Sequence, residues 1–64
     1  MEMFSAQPGV KRGWYQPYTI TFRNQIFFLT IDESSNTFSW NMMMDDLDLK
    51  QEIEKRLISY LTNG

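Results

Sequence analysis

Residues 18–42 carry an alternation of apolar and polar side chains that fits three consecutive antiparallel strands. A tight turn at Asn24 and Gln25 places Phe22 opposite Phe27 on one face of the sheet. The other expected pairs in this first hairpin are Ile20 with Leu29 and Tyr18 with Ile31. A second turn at residues 33–36 gives three more expected pairs on the same face, which are Ile31 with Phe38, Leu29 with Trp40 and Phe27 with Met42. A slip of one residue would scatter these apolar side chains over both faces, so the pattern predicts which residues share a face.

A helix is predicted after the third strand. Asp45 or Asp46 can cap its first turn, where the helix dipole favours acidic side chains. Apolar residues then recur at helical spacing, at Leu49, Ile53, Leu57, Tyr60 and Leu61. Asn63 and Gly64 are typical of a helix C-terminus. The apolar helix stripe and the apolar sheet face each need one cover, so we predict that they cover each other.

The predicted fold is therefore an α+β domain with a three-stranded antiparallel β-meander and one C-terminal helix packed on one face. This β-β-β-α domain is expected to span residues 18–64. Residues 1–17 contain two prolines and two glycines and are predicted to form an irregular N-terminal arm, or at most a short edge segment. Trp14 and Tyr15 are apolar enough that we expect them to pack on the domain or on a second subunit.

The composition excludes the commonest kinds of catalytic and metal site. The 64 residues include no cysteine and no histidine, which removes disulfides, the usual zinc sites and the commonest general acid-base group. The serines have no imidazole or thiol to activate them. Clustered Asp45, Asp46 and Asp48 match no calcium loop and are better explained as helix capping. We expect a non-enzymatic protein with no catalytic residue, cofactor, metal or small-molecule substrate.

The net charge of −2 gives no general attraction to nucleic acid or to anionic membranes. No apolar run approaches the roughly 20 residues that span a bilayer, and the first nine residues lack the basic start and apolar core of a leader. The expected compartment is the cytoplasm. Short chains of this kind are typical of accessory proteins of bacteria and their viruses.

The face of the sheet opposite the helix is predicted to be polar except for Ile26 and Phe28. Three explanations stay open for Phe28: the arm covers it with Trp14 or Tyr15, a second copy or another protein covers it, or it is exposed. Because so short a chain buries a small core, we expect a homodimer or a complex with another protein. The predicted function is that of an adaptor or inhibitor of a larger protein. Its predicted contact surface is a sheet edge or the face that carries Thr21, Arg23, Ile26 and Phe28.

A nucleic-acid-binding module is the alternative interpretation. It would use a basic-aromatic cluster made of Lys11, Arg12, Trp14, Tyr15 and Arg23. Three antiparallel strands followed by a helix are similar in layout to the integrase arm-binding and double-stranded-RNA-binding modules. Those modules are usually basic along the contacting surface, whereas the predicted sheet here offers one arginine and the predicted helix begins with three aspartates.

Overall fold

The computed structural model describes residues 3–63 and contains four antiparallel strands followed by one helix. The elements are β1 (Phe4–Pro8), β2 (Tyr15–Phe22), β3 (Gln25–Asp32), β4 (Thr37–Trp40) and α1 (Leu47–Asn63). The strands lie in the order β1-β2-β3-β4, and α1 packs across one face of the sheet. An α+β meander with a C-terminal helix is thus confirmed in outline. The predicted number of strands is wrong, because the segment expected to be an irregular arm contributes β1.

The prolines that argued against strands in residues 1–17 occupy positions where the sheet tolerates them. Gly9 donates its backbone N–H to the Pro17 carbonyl at 2.9 Å, but Pro17 has no N–H to return the bond. The side-chain amide of Gln16 donates to the Gly9 carbonyl instead, at 3.0 Å. Pro8 ends β1, which is an edge strand. A side-chain hydrogen bond therefore replaces the missing ladder bond and lets β2 begin before Pro17.

The turn between β2 and β3 lies one residue earlier than predicted. Arg23 and Asn24 are its two central residues, with φ of 54° and 60°, as a type I′ hairpin turn requires. The Arg23 guanidinium lies 4.8 Å from the centroid of the Phe22 ring, a contact that helps to hold this strained residue in place. Ile20 consequently pairs with Phe27 rather than with Leu29. The register differs from the predicted one by two residues, so each side chain that lies within β2 or β3 stays on its predicted face.

The β3–β4 hairpin has the predicted register, with Leu29 opposite Trp40 and Ile31 opposite Phe38. The carboxylate of Asp32 accepts hydrogen bonds from the Ser34 amide at 3.0 Å and the Ser34 hydroxyl at 2.6 Å, which orders the turn. The expected pair of Phe27 with Met42 does not form, because β4 ends at Trp40.

The helix covers the apolar face as predicted. The buried core consists of Ala6, Ile20, Phe22, Phe27, Leu29, Ile53 and Leu57. The carboxylate of Asp46 caps the helix by accepting the Leu49 N–H at 3.1 Å, and Glu52 pairs with Arg56 one turn later in the helix. The predicted stop at Gly64 lies outside the described residues.

The indole N–H of Trp40 donates to the Glu54 carboxylate at 2.7 Å, and this bond ties β4 to α1. On the other side of the helix, the Phe4 ring contacts the rings of both Phe22 and Tyr60 edge to face. The helix is thus anchored at both edges of the sheet. Within the described residues, no helix has the length and apolar character needed to cross a membrane.

Candidate protein interface

The face of the sheet turned away from α1 has no cover in the described part of the chain. We call it the open face. Because side chains alternate along each strand, it carries Ser5, Gln7, Tyr15, Pro17, Thr19, Thr21, Ile26, Phe28, Thr30, Asp32, Thr37 and Ser39. Asp32 is the one charged residue in that set. The open face is therefore an almost uncharged surface rich in hydroxyl groups.

Two large apolar side chains stand on the open face, on the inner strand β3. Ile26 is 58% exposed and Phe28 is 48% exposed, whereas their neighbour Phe27 is 4% exposed on the opposite face. Thr21 lies directly across from Ile26, and Thr19 lies across from Phe28. These pairs differ from the predicted β2–β3 register by two residues, and Thr21, Ile26 and Phe28 still share the predicted face.

Arg23 does not belong to this surface, although the sequence placed it there. It lies in the β2–β3 turn, and its guanidinium rests on the ring of Phe22, which is buried beneath the helix. A residue in a turn no longer follows the alternation of the strand, so its position could not be read from the pattern. Of the four predicted contact residues, the structure brings together Thr21, Ile26 and Phe28.

Segment 3–17 extends the sheet sideways instead of covering Phe28. β1 lies beside β2, with Ser5 opposite Thr21 at the rim of the open face. Trp14 is 64% exposed and Tyr15 is 56% exposed, so the expected packing of these two rings on the domain is absent. Residues 3–17 of the arm therefore leave Phe28 open.

Tyr15 and Pro17 are open-face residues that the sequence analysis missed. With Val10, Arg12 and Thr30 they line a shallow pocket of about 370 Å³ near the β1–β2 connection. Extending the alternation of β2 backwards from Thr19 would have found both residues. Pro17 hid that signal, because a proline inside a run argues against a central strand.

Four residues of the nucleic-acid interpretation lie at one end of the sheet, and Arg23 lies at the other. Lys11 lies close to the start of β2 and forms an ion pair with Glu33 at 2.6 Å. Arg12 shares a backbone bridge with Tyr15 at the same end. Arg23 follows the other end of β2, and the seven residue steps from Tyr15 to Phe22 span roughly 23 Å of strand. The basic groups are thus split between two ends of the sheet.

A side groove of about 410 Å³ lies between the C-terminal half of α1 and the β3–β4 hairpin. Its apolar walls are Tyr18, Ile31, Phe38, Ile58 and Leu61. Burial raises the pKa of the Tyr18 hydroxyl, the Glu33 carboxylate raises it further, and Lys11 lowers it. The phenol is therefore neutral at physiological pH, and Glu33, which is paired with Lys11, is the charged residue among those that line the groove.

The described residues hold no cluster of three or more histidine, cysteine or acidic side chains that could bind a metal ion. A scan against protein-family models, a search of curated proteins and a search of solved structures each found no match to the chain.

Proposed function

We propose that the chain is a small non-catalytic interaction protein that binds a larger protein, as an adaptor or inhibitor, through the open face. The observation that carries this proposal is the half-exposed pair Ile26 and Phe28 at the centre of an almost uncharged sheet face. Protein interfaces have this composition, since charged residues are depleted and aromatic residues enriched at the core of the contact.

The free energy gained by covering Phe28 is large enough for this side chain to serve as the central contact of a protein interface. A phenylalanine side chain buries about 200 Å² when fully covered, so covering the exposed 48% of Phe28 would remove about 100 Å² from water. At about 25 cal/mol per Å², that burial contributes roughly 2–3 kcal/mol to binding. The surrounding threonine hydroxyls can donate and accept hydrogen bonds at the rim of the contact.

The charge of the open face favours a protein partner over nucleic acid. Binding to a phosphate backbone depends on lysine and arginine contacts that release counterions. The strands place no cationic side chain on this face, and the one charged residue that they do place there, Asp32, would repel phosphate. Arg12 lies outside the strands and lines the pocket beside Tyr15 and Pro17. Phe28 therefore stands without the basic strand neighbours that stacking sites for nucleic acid combine with an aromatic ring.

The test is affinity capture from the native host with the immobilised chain, followed by mass spectrometry of the retained proteins. Phe28→Ser should lose the specific partner, because it removes the central ring while leaving the core intact. The matched control is Leu47→Ser, which removes an apolar side chain that is 64% exposed on the helix layer. Far-UV circular dichroism should show the same helical content in the native chain and both variants.

Two results would contradict the proposal. One is a partner that Phe28→Ser retains as well as Leu47→Ser does. The other is binding to short DNA or RNA oligomers that weakens as the salt concentration rises, since that dependence reports phosphate contacts.

A further inference from the structure

The open edge of β4 presents unpaired backbone groups in a definite order. Asn41 donates its N–H to the Phe28 carbonyl at 3.0 Å. Hydrogen-bonded pairs recur at every second residue of an antiparallel ladder, so Ser39 also bonds inward to β3. Phe38 and Trp40 therefore direct their backbone N–H and C=O groups outward, away from the sheet.

β1, at the other edge of the sheet, is protected against pairing with a further strand. Gly9 bonds inward to Pro17, so the alternation directs Phe4, Ala6 and Pro8 outward on β1. Pro8 has no N–H to donate, and proline is one of the usual devices that protect an edge strand. β4 has neither a proline nor a charged residue, and the whole segment 34–44 is uncharged. Of the two edges, β4 is the one left open to another strand.

We propose that two copies of the chain associate by antiparallel pairing of β4 with β4, about a two-fold axis at Ser39. This register uses both outward-facing residues of each copy, since Phe38 of one strand meets Trp40 of the other. Four backbone hydrogen bonds form as a result. Registers shifted by two residues would need Asn36, whose φ is 56°, or Met42, which lies beyond the end of β4. The inference concerns a different surface from the open face and does not depend on the proposed function.

The side chains of β4 can pack against those of β4 in a second copy of the chain. Trp40 is held by its bond to Glu54 and by an edge-to-face contact with Phe27, so its ring is already positioned. Cross-strand pairs point to the same face, so Trp40 of one copy stands beside Phe38 of the other, where the side groove opens. β4 itself carries no charged side chain, so its residues bring no like charges together when the strand pairs with its own copy.

The exposed area also fits an incompletely covered chain. Folded monomers of 7.7 kDa expose roughly 4,300 Å², whereas this chain exposes 4894 Å². The area by which this chain exceeds the average exposed surface is of the same order as the roughly 800 Å² that each partner contributes to an interface of standard size. Pairing at β4 would yield one eight-stranded sheet with both helices on one side and both open faces on the other.

Sedimentation equilibrium of the full chain over a concentration series tests the proposal. The native chain should reach twice its 7.7 kDa mass. The register places the two Ser39 side chains opposite each other, with Cα atoms about 4.5 Å apart. Ser39→Lys and Ser39→Glu each bring like charges together and should weaken association by roughly fivefold. An equimolar mixture of these two variants should regain the dimer mass. Ser5→Lys, an exposed open-face residue on the other edge, is the matched control and should remain dimeric.

A chemically synthesised chain with an N-methyl group on the Phe38 amide gives a second test that leaves every side chain unchanged. It removes one outward donor and should be monomeric with native circular dichroism. A native chain that stays monomeric at every concentration would overturn the proposal. So would association that the Ser39→Lys change does not weaken, dimers that survive N-methylation, or Ser39→Lys and Ser39→Glu chains that fail to combine.

Discussion

Phe27 and Phe28 are adjacent in sequence and lie on opposite faces of β3, so replacing each with alanine tests the assignment of faces. Phe27 is 4% exposed, and Phe27→Ala leaves a cavity that should lower the free energy of unfolding by about 3–5 kcal/mol. Phe28 is 48% exposed and buries only about 100 Å², so Phe28→Ala should cost about 1–2 kcal/mol.

The difference between these two losses in the free energy of unfolding is large compared with the total stability of so small a chain. At 0.05–0.15 kcal/mol per residue, 64 residues give a total of about 3–10 kcal/mol. Phe27→Ala should therefore remove about half of the total stability, whereas Phe28→Ala should keep most of it.

Urea unfolding followed by far-UV circular dichroism measures both variants, at one protein concentration because association would shift the midpoint. With a denaturant slope near 1 kcal/mol per molar, the two urea midpoints should differ by about 2 M. Equal midpoints, or a lower midpoint for Phe28→Ala, would refute the assignment of faces and remove the physical basis of the proposed interface.

Three further changes test local features of the fold. Asn24→Gly should stabilise the chain by about 0.5–1 kcal/mol, because φ is 60° at this position and glycine adopts such angles without steric cost; a lower urea midpoint would contradict this. Asp46→Ala should cost about 1 kcal/mol in thermal unfolding by removing the helix cap, whereas Asp45→Ala should cost much less; equal losses would argue against the capping bond. Hydrogen bonds from the hydroxyl and amide of Ser34 hold the pKa of Asp32 below its ordinary 3.8, so the stability that this turn contributes is complete above pH 3.8 and is lost as the pH falls through the lowered value. An NMR titration of the Asp32 carboxyl should therefore have its midpoint below 3.8, and a midpoint at or above that value would contradict the turn geometry.

The sequence predicted the residues at the centre of the candidate interface correctly, but it did not predict those at the two ends of β2. The alternation of β3 places Ile26 and Phe28 on one face and Leu29 on the other, and the structure has the same arrangement. Arg23 was assigned to that face by extending the alternation into a turn, where it no longer holds. Tyr15 was missed because Pro17 interrupts the pattern that would have connected it to the strand.

The sequence by itself determined the features that depend on local periodicity and local hydrogen bonds. These are the apolar stripe of the helix, an acidic cap at Asp45 or Asp46, and the face that each strand residue occupies, since a wrong face would expose the whole apolar set to water. The structure uses Asp46 for the cap. Only the tertiary structure decided that residues 4–8 form a strand, because every ladder bond of an edge strand is made with its neighbour. The tertiary structure also decided the placement of the β2–β3 turn. A shift of that turn by one residue moves the β2–β3 register by two residues, so every strand side chain keeps its face. The alternation of the sequence therefore fits the predicted and the observed turn equally well.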